Sequence, residues 1–209
     1  HPQHAAQLNS TRPELMVYAV EHVADLARPM ARADVLAIGP GLGQRAWGRA
    51  LFEAALASDL PMVVDADGLN LLSEIGARRE HWILTPHPGE AARLLKQSIA
   101  ASQADRFASL RALQAGYGGV VVLKGAGTLI HAGGQDAPEI LLCAAGNPGM
   151  ATAGMGDVLT GIIAGLAAQG LALDKAAALG VLVHALAGDE AAREGERGLL
   201  AMDLMPHLR

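Results

Sequence analysis

The chain contains very few aromatic residues and only one cysteine. Phe, Tyr and Trp contribute two residues each to a total of 209, so there are few rings on which the bases of a single-stranded nucleic acid could stack. Lone Cys143 cannot form an intrachain disulfide, which excludes a disulfide scaffold and favours a reducing, cytoplasmic compartment. The net charge of −5 provides no basic surface, so we expect no nucleic-acid partner.

Long apolar runs and targeting signals are also missing. A charge-free stretch of the apolar C-terminal half covers residues 158–173, and three glycines interrupt it. A membrane-spanning helix needs about 20 apolar residues, so no membrane partner is expected. Residues 1–11 are polar and contain neither the basic nor the apolar region of a signal peptide. The chain begins with His1 instead of methionine, as a processed product or a fragment does.

Small and apolar residues are abundant. Hydrophobic residues make up 51% of the chain and charged residues 18%, which excludes an intrinsically disordered protein. A chain of 209 residues can bury a core without disulfide or metal support. Since no linker or repeat divides it, we predict a single domain over residues 1–209.

Short apolar runs alternate with stretches of helical periodicity. Strands are predicted over residues 34–38, 61–64, 82–84 and 119–123, followed by a hairpin of strands 128–131 and 139–142 around Gly133 and Gly134. Helices are predicted over residues 44–57, 69–75, from Pro88 onward, 103–115, 157–168 and 174–193. Near-continuous Val, Ile and Leu strands between helices indicate an α/β fold with a mostly parallel sheet covered on both faces.

Polar residues follow directly after several strands, at the edge where open α/β sheets bind ligands. They are Asp65, Asp67, Asn70, His87, Lys124 and Thr128. The two aspartates could hold Mg²⁺ through water and His87 could hydrogen-bond a substrate, although each is also an ordinary polar residue at a strand end. We interpret His184 as a core or helix-contact histidine. No residue spacing is typical of a zinc site, so no metal ligands are predicted.

The loop after the first strand fits the dinucleotide-binding pattern GxGxx[G/A]. It reads Gly41-Leu42-Gly43-Gln44-Arg45-Ala46. Asp65 follows Gly43 by 22 residues, which is close to the spacing of an acidic residue that holds a ribose. A Rossmann site, a tight strand-to-helix turn and another ligand-facing loop all remain open.

A second glycine-rich loop, residues 146–157, leads into a helix and is not a Walker loop. Glycine backbone and a helix N-terminus together favour an anion. Asp157 would repel a resting phosphate, but it makes sense as a base for a hydroxyl that attacks a phosphoryl group. The alternative is that Asp157 only caps the helix.

A third glycine-containing loop begins with Lys124, at the end of a strand. It reads Lys124-Gly125-Ala126-Gly127-Thr128. Its backbone N–H groups and threonine hydroxyl can donate to nucleotide phosphates. The alternative is a β-turn with a solvated lysine.

Taken together, these stretches resemble a known family. They are Ile38-Gly39-Pro40-Gly41-Leu42-Gly43, Asp65-Ala66-Asp67-Gly68-Leu69-Asn70, Thr85-Pro86-His87-Pro88-Gly89-Glu90, Lys124 to Thr128, and Gly146 to Asp157. In this order they resemble the ADP/ATP-dependent NAD(P)H-hydrate dehydratases, a branch of the ribokinase-like superfamily. The chain is also similar to the C-terminal half of bifunctional enzymes that carry an epimerase domain in front.

The resemblance implies a ribokinase-like three-layer α/β/α sandwich with a mostly parallel central sheet. It implies repair of the S epimer of NADHX or NADPHX to NADH or NADPH. ADP, or ATP, is the implied co-substrate, together with Mg²⁺. Phosphorylation of the hydroxyl and loss of phosphate would leave AMP and phosphate when ADP is used. A cytoplasmic homo-oligomer is expected.

The resemblance also implies roles for individual residues. Asp157 would be the base on the hydroxyl. The implied nucleotide-binding residues are Lys124, Gly125, Ala126, Gly127 and Thr128, with Gly154 and Gly156 as anion-hole donors. The implied substrate-binding residues are Gly41, Gly43, Asn70 and His87, together with Asp157.

One departure from the family stands at the N-terminus. Family members carry a further segment before the point that matches residues 11–16, so we expect this chain to lack that segment. Three other functions stay open: a vitamin or sugar kinase of the same superfamily, an NAD-dependent dehydrogenase that uses residues 41–46, and an inactive nucleotide-binding module.

Overall fold

A computed structural model describes residues 1–132 and 139–208. The strands of this part are β1 (Leu36–Ile38), β2 (Met62–Val64), β3 (Trp82–Leu84), β4 (Val120–Leu123), β5 (Thr128–Ala132) and β6 (Glu139–Cys143). They form one sheet in the order β1-β2-β3-β4-β5-β6. The first four strands are parallel, and β5 and β6 add an antiparallel hairpin at one edge. The predicted mostly parallel sheet is thereby confirmed, while the predicted turn around Gly133 and Gly134 lies outside the described residues.

Helices precede, separate and follow the strands. They are α1 (Pro2–Thr11), α2 (Ala27–Met30), α3 (Ala46–Leu56), α4 (Ala66–Ile75), α5 (Pro88–Leu94), α6 (Ile99–Ala104), α7 (Arg106–Tyr117), α8 (Met155–Ala168) and α9 (Leu173–Ala191). Short 3₁₀ segments lie at Val23–Leu26, Pro148–Met150 and Ala201–His207. Elements before residue 34 and after residue 193 were not predicted. In the described ranges, no helix is both long enough and apolar enough to cross a membrane.

The helix predicted over residues 103–115 is confirmed over residues 106–115, which lie in α7, but its continuity across Asp105 is wrong. Asp105 instead ends α6 and begins α7, with an extended backbone conformation. Its carboxylate accepts a hydrogen bond from the Ala108 N–H at 2.8 Å, which caps α7. The apolar periodicity continues across this break, so it did not indicate where the first helix ends.

Both faces of the sheet are covered, because successive side chains of β2, β3 and β4 point to opposite sides. Met62, Trp82 and Val121 pack in one cluster with side chains of α3, α4, α5 and α7. Val63 and Ile83 pack on the other face against α8 and α9. The predicted three-layer α/β/α architecture is therefore confirmed, and the carboxyl ends of the parallel strands meet at one edge.

Candidate functional site

A cavity of about 800 Å³ lies at this edge, between the loops that follow β2, β3, β4 and β6 and the start of α8. Predicted site residues that line it are His87, Lys124, Gly125, Ala126, Gly127, Thr128, Gly156 and Asp157. Gly41, Gly43, Asn70 and Gly154 are absent from its lining. The structure therefore brings the predicted nucleotide loop and the predicted base together, and leaves the predicted substrate glycines outside the cavity lining.

The first turn of α8 presents Asp157 to the cavity. Gly154, with φ of 88°, is the N-cap of the helix, so Asp157 is not the cap. The first helical hydrogen bond runs from Val158 N to Gly154 O, and the N–H groups before it have no acceptor within the helix. Asp157 is exposed, and its carboxylate makes no hydrogen bond or ion pair with the described residues. A free carboxylate thus stands beside free N–H donors.

A buried ion pair lies beneath this turn. Lys124 Nζ is 2.6 Å from Asp65 Oδ1, and the second oxygen of Asp65 accepts a hydrogen bond from Thr160 Oγ1 at 2.9 Å. Asp65 is only 1% exposed. A Cβ on Gly156 would lie 3.2 Å from Lys124 Nζ, so the helix backbone rests almost directly on the lysine. The pair fixes α8 against the ends of β2 and β4, and Asp65 neutralises Lys124.

His87 and Glu90 form the wall of the cavity after β3. His87 Nδ1 accepts hydrogen bonds from the N–H groups of Gly89 at 2.9 Å and Glu90 at 3.3 Å. Glu90 Oε2 in turn accepts one from the His87 N–H at 2.7 Å, which completes a capping box at the start of α5. The predicted helix start at Pro88 is confirmed, and His87 is its N-cap.

Burial raises the pKa of Glu90 above its usual range, against the opposing effects of Lys124 and His87. Glu90 is 5% exposed, whereas the side chain of His87 is 54% exposed. Lys124 Nζ lies 3.9 Å from Glu90 Oε2. The site therefore holds two buried carboxyl groups, Asp65 and Glu90, and one exposed carboxylate, Asp157.

The glycine loop after β1 packs on the start of α4 instead of reaching the cavity. Asp67 accepts hydrogen bonds from Gly43 N and Gln44 Nε2, both at 2.9 Å, and from Asn70 Nδ2 at 3.3 Å. These hydrogen bonds outweigh the effect of partial burial and lower the pKa of Asp67. Arg93 donates to Asn70 Oδ1. Gly43 N and Asn70 are thus already bound within the protein.

The Rossmann interpretation of this loop is wrong at Asp65. A ribose needs an accessible carboxylate, but both Asp65 oxygens are bound by Lys124 and Thr160 and the residue is buried. Close packing explains the glycine at position 39, directly after β1, because a Cβ on Gly39 would lie 1.7 Å from Asp65 O.

Arg106 of α7 supports the predicted nucleotide loop, a role that sequence reasoning missed. Its guanidinium donates to Ala126 O at 2.7 Å and to Leu123 O at 3.4 Å. Within the loop, Thr128 Oγ1 donates to Gly125 O at 3.2 Å. No sequence signal indicated Arg106, because it acts through contacts 17 to 20 residues away.

The loop that leads to α8 is hydrogen-bonded to α9. Asp189 accepts hydrogen bonds from Gly146 N at 2.9 Å and from Asn147 Nδ2 at 3.0 Å. His184, predicted as a core histidine, lines the cavity from the same helix. Burial lowers the pKa of His184, and a hydrogen bond with the Met155 backbone opposes this effect. These α9 contacts were not foreseen because they join residues about 40 positions apart in the chain.

The acidic residues at this edge of the sheet do not form a ligand set for Mg²⁺. In the part of the chain that the structure describes, no group of three His, Cys, Asp or Glu side chains could hold a metal ion. Asp65 is occupied by Lys124 and Thr160, so the water-mediated site proposed for Asp65 and Asp67 is not formed. These residues by themselves do not make a Mg²⁺ site.

A family model described as NAD(P)H-hydrate dehydratase matches residues 1–209. The chain belongs to the NAD(P)H-hydrate dehydratase family. A relative in this family, the bifunctional NAD(P)H-hydrate repair enzyme Nnr of Coxiella burnetii, is 54% identical over 209 residues. The match covers 100% of this chain but 42% of that protein, so the chain spans about two-fifths of the length of this relative.

Solved structures agree with the family assignment. The ADP/ATP-dependent NAD(P)H-hydrate dehydratase of Bacillus subtilis, co-crystallised with ATP and Mg²⁺, has a TM-score of 0.81 and 28% identity, covering 99% of this chain and 74% of that one. A ribokinase-like superfamily protein of Enterococcus faecalis has a TM-score of 0.84 and 32% identity, covering 97% of this chain and 71% of that one. The predicted ribokinase-like fold of this dehydratase-family chain is confirmed.

Proposed function

We propose that this chain catalyses the ADP- or ATP-dependent dehydration of the S epimer of NADHX or NADPHX. The products are NADH or NADPH, and AMP with phosphate when ADP is the donor. The observation that carries the proposal is the exposed, unpaired Asp157 carboxylate at the start of α8, in the same cavity as the loop of residues 124–128. Because the chain belongs to the NAD(P)H-hydrate dehydratase family, we assign this phosphoryl-transfer geometry to repair of the hydrated cofactor.

The geometry suits phosphoryl transfer to a hydroxyl. The N–H groups at the start of α8, from Gly154 to Gly156, face the transferring phosphoryl group and stabilise its charge. The loop of residues 124–128 holds the remaining phosphates through its backbone and Thr128. Asp157 accepts the hydroxyl proton as the new O–P bond forms.

The substrate role of His87 follows from its place in the cavity lining, and those of Gly41, Gly43 and Asn70 rest on the family resemblance. The exposed His87 contacts the hydrate, while Gly41, Gly43 and Asn70 lie in loops outside the cavity lining. Lys124 acts on the phosphates with a charge that Asp65 partly neutralises. We expect Mg²⁺ to arrive on the nucleotide phosphates, since it is usually held by phosphates and water with few protein ligands.

Substitution of Asp157 tests the proposal. Asp157→Asn keeps the size of the side chain but removes the base, so we expect loss of NADHX-to-NADH conversion by roughly 10²-fold or more. Conversion is followed by the absorbance of the reduced nicotinamide with ADP or ATP present. Nucleotide binding, measured by calorimetry, should stay within about threefold of the wild type, because the backbone donors are unchanged.

Asp174→Asn is the matched control. Asp174 also lies in the first turn of a helix, but at the start of α9 and outside the cavity lining. It should behave as the wild type. Full activity of Asp157→Asn would exclude Asp157 as the base, and a stable phosphorylated product from a vitamin or sugar would favour the kinase alternative instead.

We also propose that the protein is a cytoplasmic homo-oligomer. A reducing compartment agrees with the single, free Cys143. Self-association agrees with a row of exposed leucines on α9, namely Leu179, Leu182 and Leu186.

A further inference from the structure

Dehydration of a ring hydrate removes two groups: the hydroxyl and a proton from the neighbouring ring carbon. The proposed function assigns Asp157 to the hydroxyl and assigns no residue to the carbon-bound proton. We propose that Glu90 is the base that accepts this second proton. The inference rests on the proposed function and deepens it, because it divides the two proton transfers between two carboxylates.

The cavity offers few other acceptors. Its described lining contains the carboxylates of Asp65, Glu90 and Asp157. Asp65 is excluded, since Lys124 and Thr160 occupy both of its oxygens. Asp157 has already received the hydroxyl proton in the first half of the reaction, so Glu90 is the carboxylate that remains.

His87 is excluded by its hydrogen bonds. Its Nδ1 accepts from two backbone N–H groups, at 2.9 and 3.3 Å, so this nitrogen carries a lone pair. The proton of the neutral ring is therefore on Nε2, which lies 3.4 Å from Glu90 Oε1. A ring with its proton on Nε2 can donate a hydrogen bond there but cannot accept a proton at that atom.

The two carboxyl oxygens of Glu90 differ: Oε2 accepts the hydrogen bond of the helix cap, and Oε1 is the oxygen that we assign to the proton transfer. Oε2 accepts from the His87 N–H at 2.7 Å and faces Lys124 Nζ at 3.9 Å. Oε1 lies 3.4 Å from His87 Nε2 and is not the oxygen that accepts the His87 N–H of the cap. Burial also raises the pKa of Glu90 and makes its anion more basic than that of an exposed glutamate.

The electrons balance without a further reactant. The carbon–oxygen bond of the phosphorylated hydrate breaks, its electron pair leaves with phosphate, and the ring nitrogen lone pair forms a C=N bond. The neighbouring C–H bond then breaks and its proton moves to Glu90 Oε1. That electron pair forms the C=C bond, the nitrogen regains its lone pair, and Glu90 returns the proton to water.

The test separates the two halves of the reaction. Glu90→Gln keeps the helix cap, because glutamine also accepts the His87 N–H in a capping box. In this variant we expect AMP formation from ADP to stay within about threefold of the wild type, while NADH formation falls by roughly 10²-fold or more. The ratio of NADH to AMP therefore drops well below one, since water recaptures the ring cation and regenerates the hydrate.

The pH profile gives a second measurement. In the wild type, NADH formation should fall as the pH drops through the raised pKa of Glu90, because a protonated carboxyl accepts no proton. The charged or titratable groups that face Glu90 are His87, Lys124 and Asp65. Glu90→Gln should lose this acidic limb, and the surface variant Glu53→Gln on α3 should keep both the limb and the one-to-one ratio.

The outcomes are distinct. A wild-type chain that forms no NADH from NADHX with ADP or ATP contradicts the proposed function itself. An active wild type whose Glu90→Gln variant keeps the one-to-one ratio overturns the role of Glu90, whether the two rates are unchanged or fall in parallel.

Discussion

Gly39 and Gly41 are two positions apart in one loop, yet the structure constrains them for different reasons. Gly39 has φ of +130°, and an added Cβ would lie 1.7 Å from the carbonyl oxygen of Asp65. Gly41 has φ of +65°, and a Cβ there would meet nothing within 4 Å. The first glycine permits close packing between the ends of β1 and β2, and the second permits only a turn of the backbone.

We therefore expect the two alanine substitutions to differ in the free energy of unfolding. Gly39→Ala should lower it by about 4 kcal/mol or more, because backbone atoms must move. Gly41→Ala should lower it by about 1 to 2 kcal/mol, the cost of a left-handed conformation at alanine. Urea denaturation measures both, and equal losses would contradict this account of the loop.

Gly41→Ala also tests a predicted role. If Gly41 contacts the hydrate, the added methyl group should raise the KM for NADHX and leave that for ADP unchanged. An unchanged KM for NADHX would remove Gly41 from the substrate site.

At the scale of elements, α5 begins at the residue that the sequence predicted. Pro88 and Glu90 indicated α5 because proline suits the first turn and a carboxylate suits the positive end of a helix. The break between α6 and α7 was missed although Asp105 is a typical capping residue. Apolar periodicity describes which face is buried, and two consecutive helices that bury the same side share it.

Asp105→Ala tests the cap. It should lower the free energy of unfolding by about 1 kcal/mol, because the Ala108 N–H loses its acceptor. Asp105→Asn should stay close to the wild type, since asparagine caps helices about as well as aspartate. Urea denaturation of the two variants decides the point, and equal stability of both would contradict the capping role.

At the scale of the whole molecule, α9 buries one face against the sheet and leaves another uncovered. Val181 and Ala185 are buried, while Leu182 and Leu186 are 43% and 52% exposed. Lines of exposed leucine on a helix typically mark an interaction surface. This uncovered face is the structural support for self-association.

We expect sedimentation to give a mass that is a multiple of 21.5 kDa. Leu182→Glu should shift the protein toward the monomer, because it places a charge in the middle of the apolar row. Lys175→Glu, on the same helix at a site that is 75% exposed, should leave the mass unchanged. A wild-type monomer would reject the proposal, and an unchanged mass for Leu182→Glu would place the interface elsewhere.

The sequence by itself determined the buried strands, the starts of several helices and the loops that carry glycine. These features depend on residues close together in the chain: continuous Val, Ile and Leu runs, caps and turns. The family resemblance supplied the predicted roles of Asp157 and of residues 124–128, which stay predictions for the proposed experiments to decide.

Only the tertiary structure decided which of those residues share a site. Asp65 and Lys124 are 59 positions apart, and Lys124 Nζ lies 2.6 Å from Asp65 Oδ1. This ion pair leaves Asp65 unable to bind a ribose or a metal ion. Glu90 and His184 line the cavity, whereas Gly41, Gly43 and Asn70 do not. The physical reason is that burial and ion pairing depend on groups that are distant in the chain and meet only on folding. A local sequence pattern therefore does not predict which groups will pair.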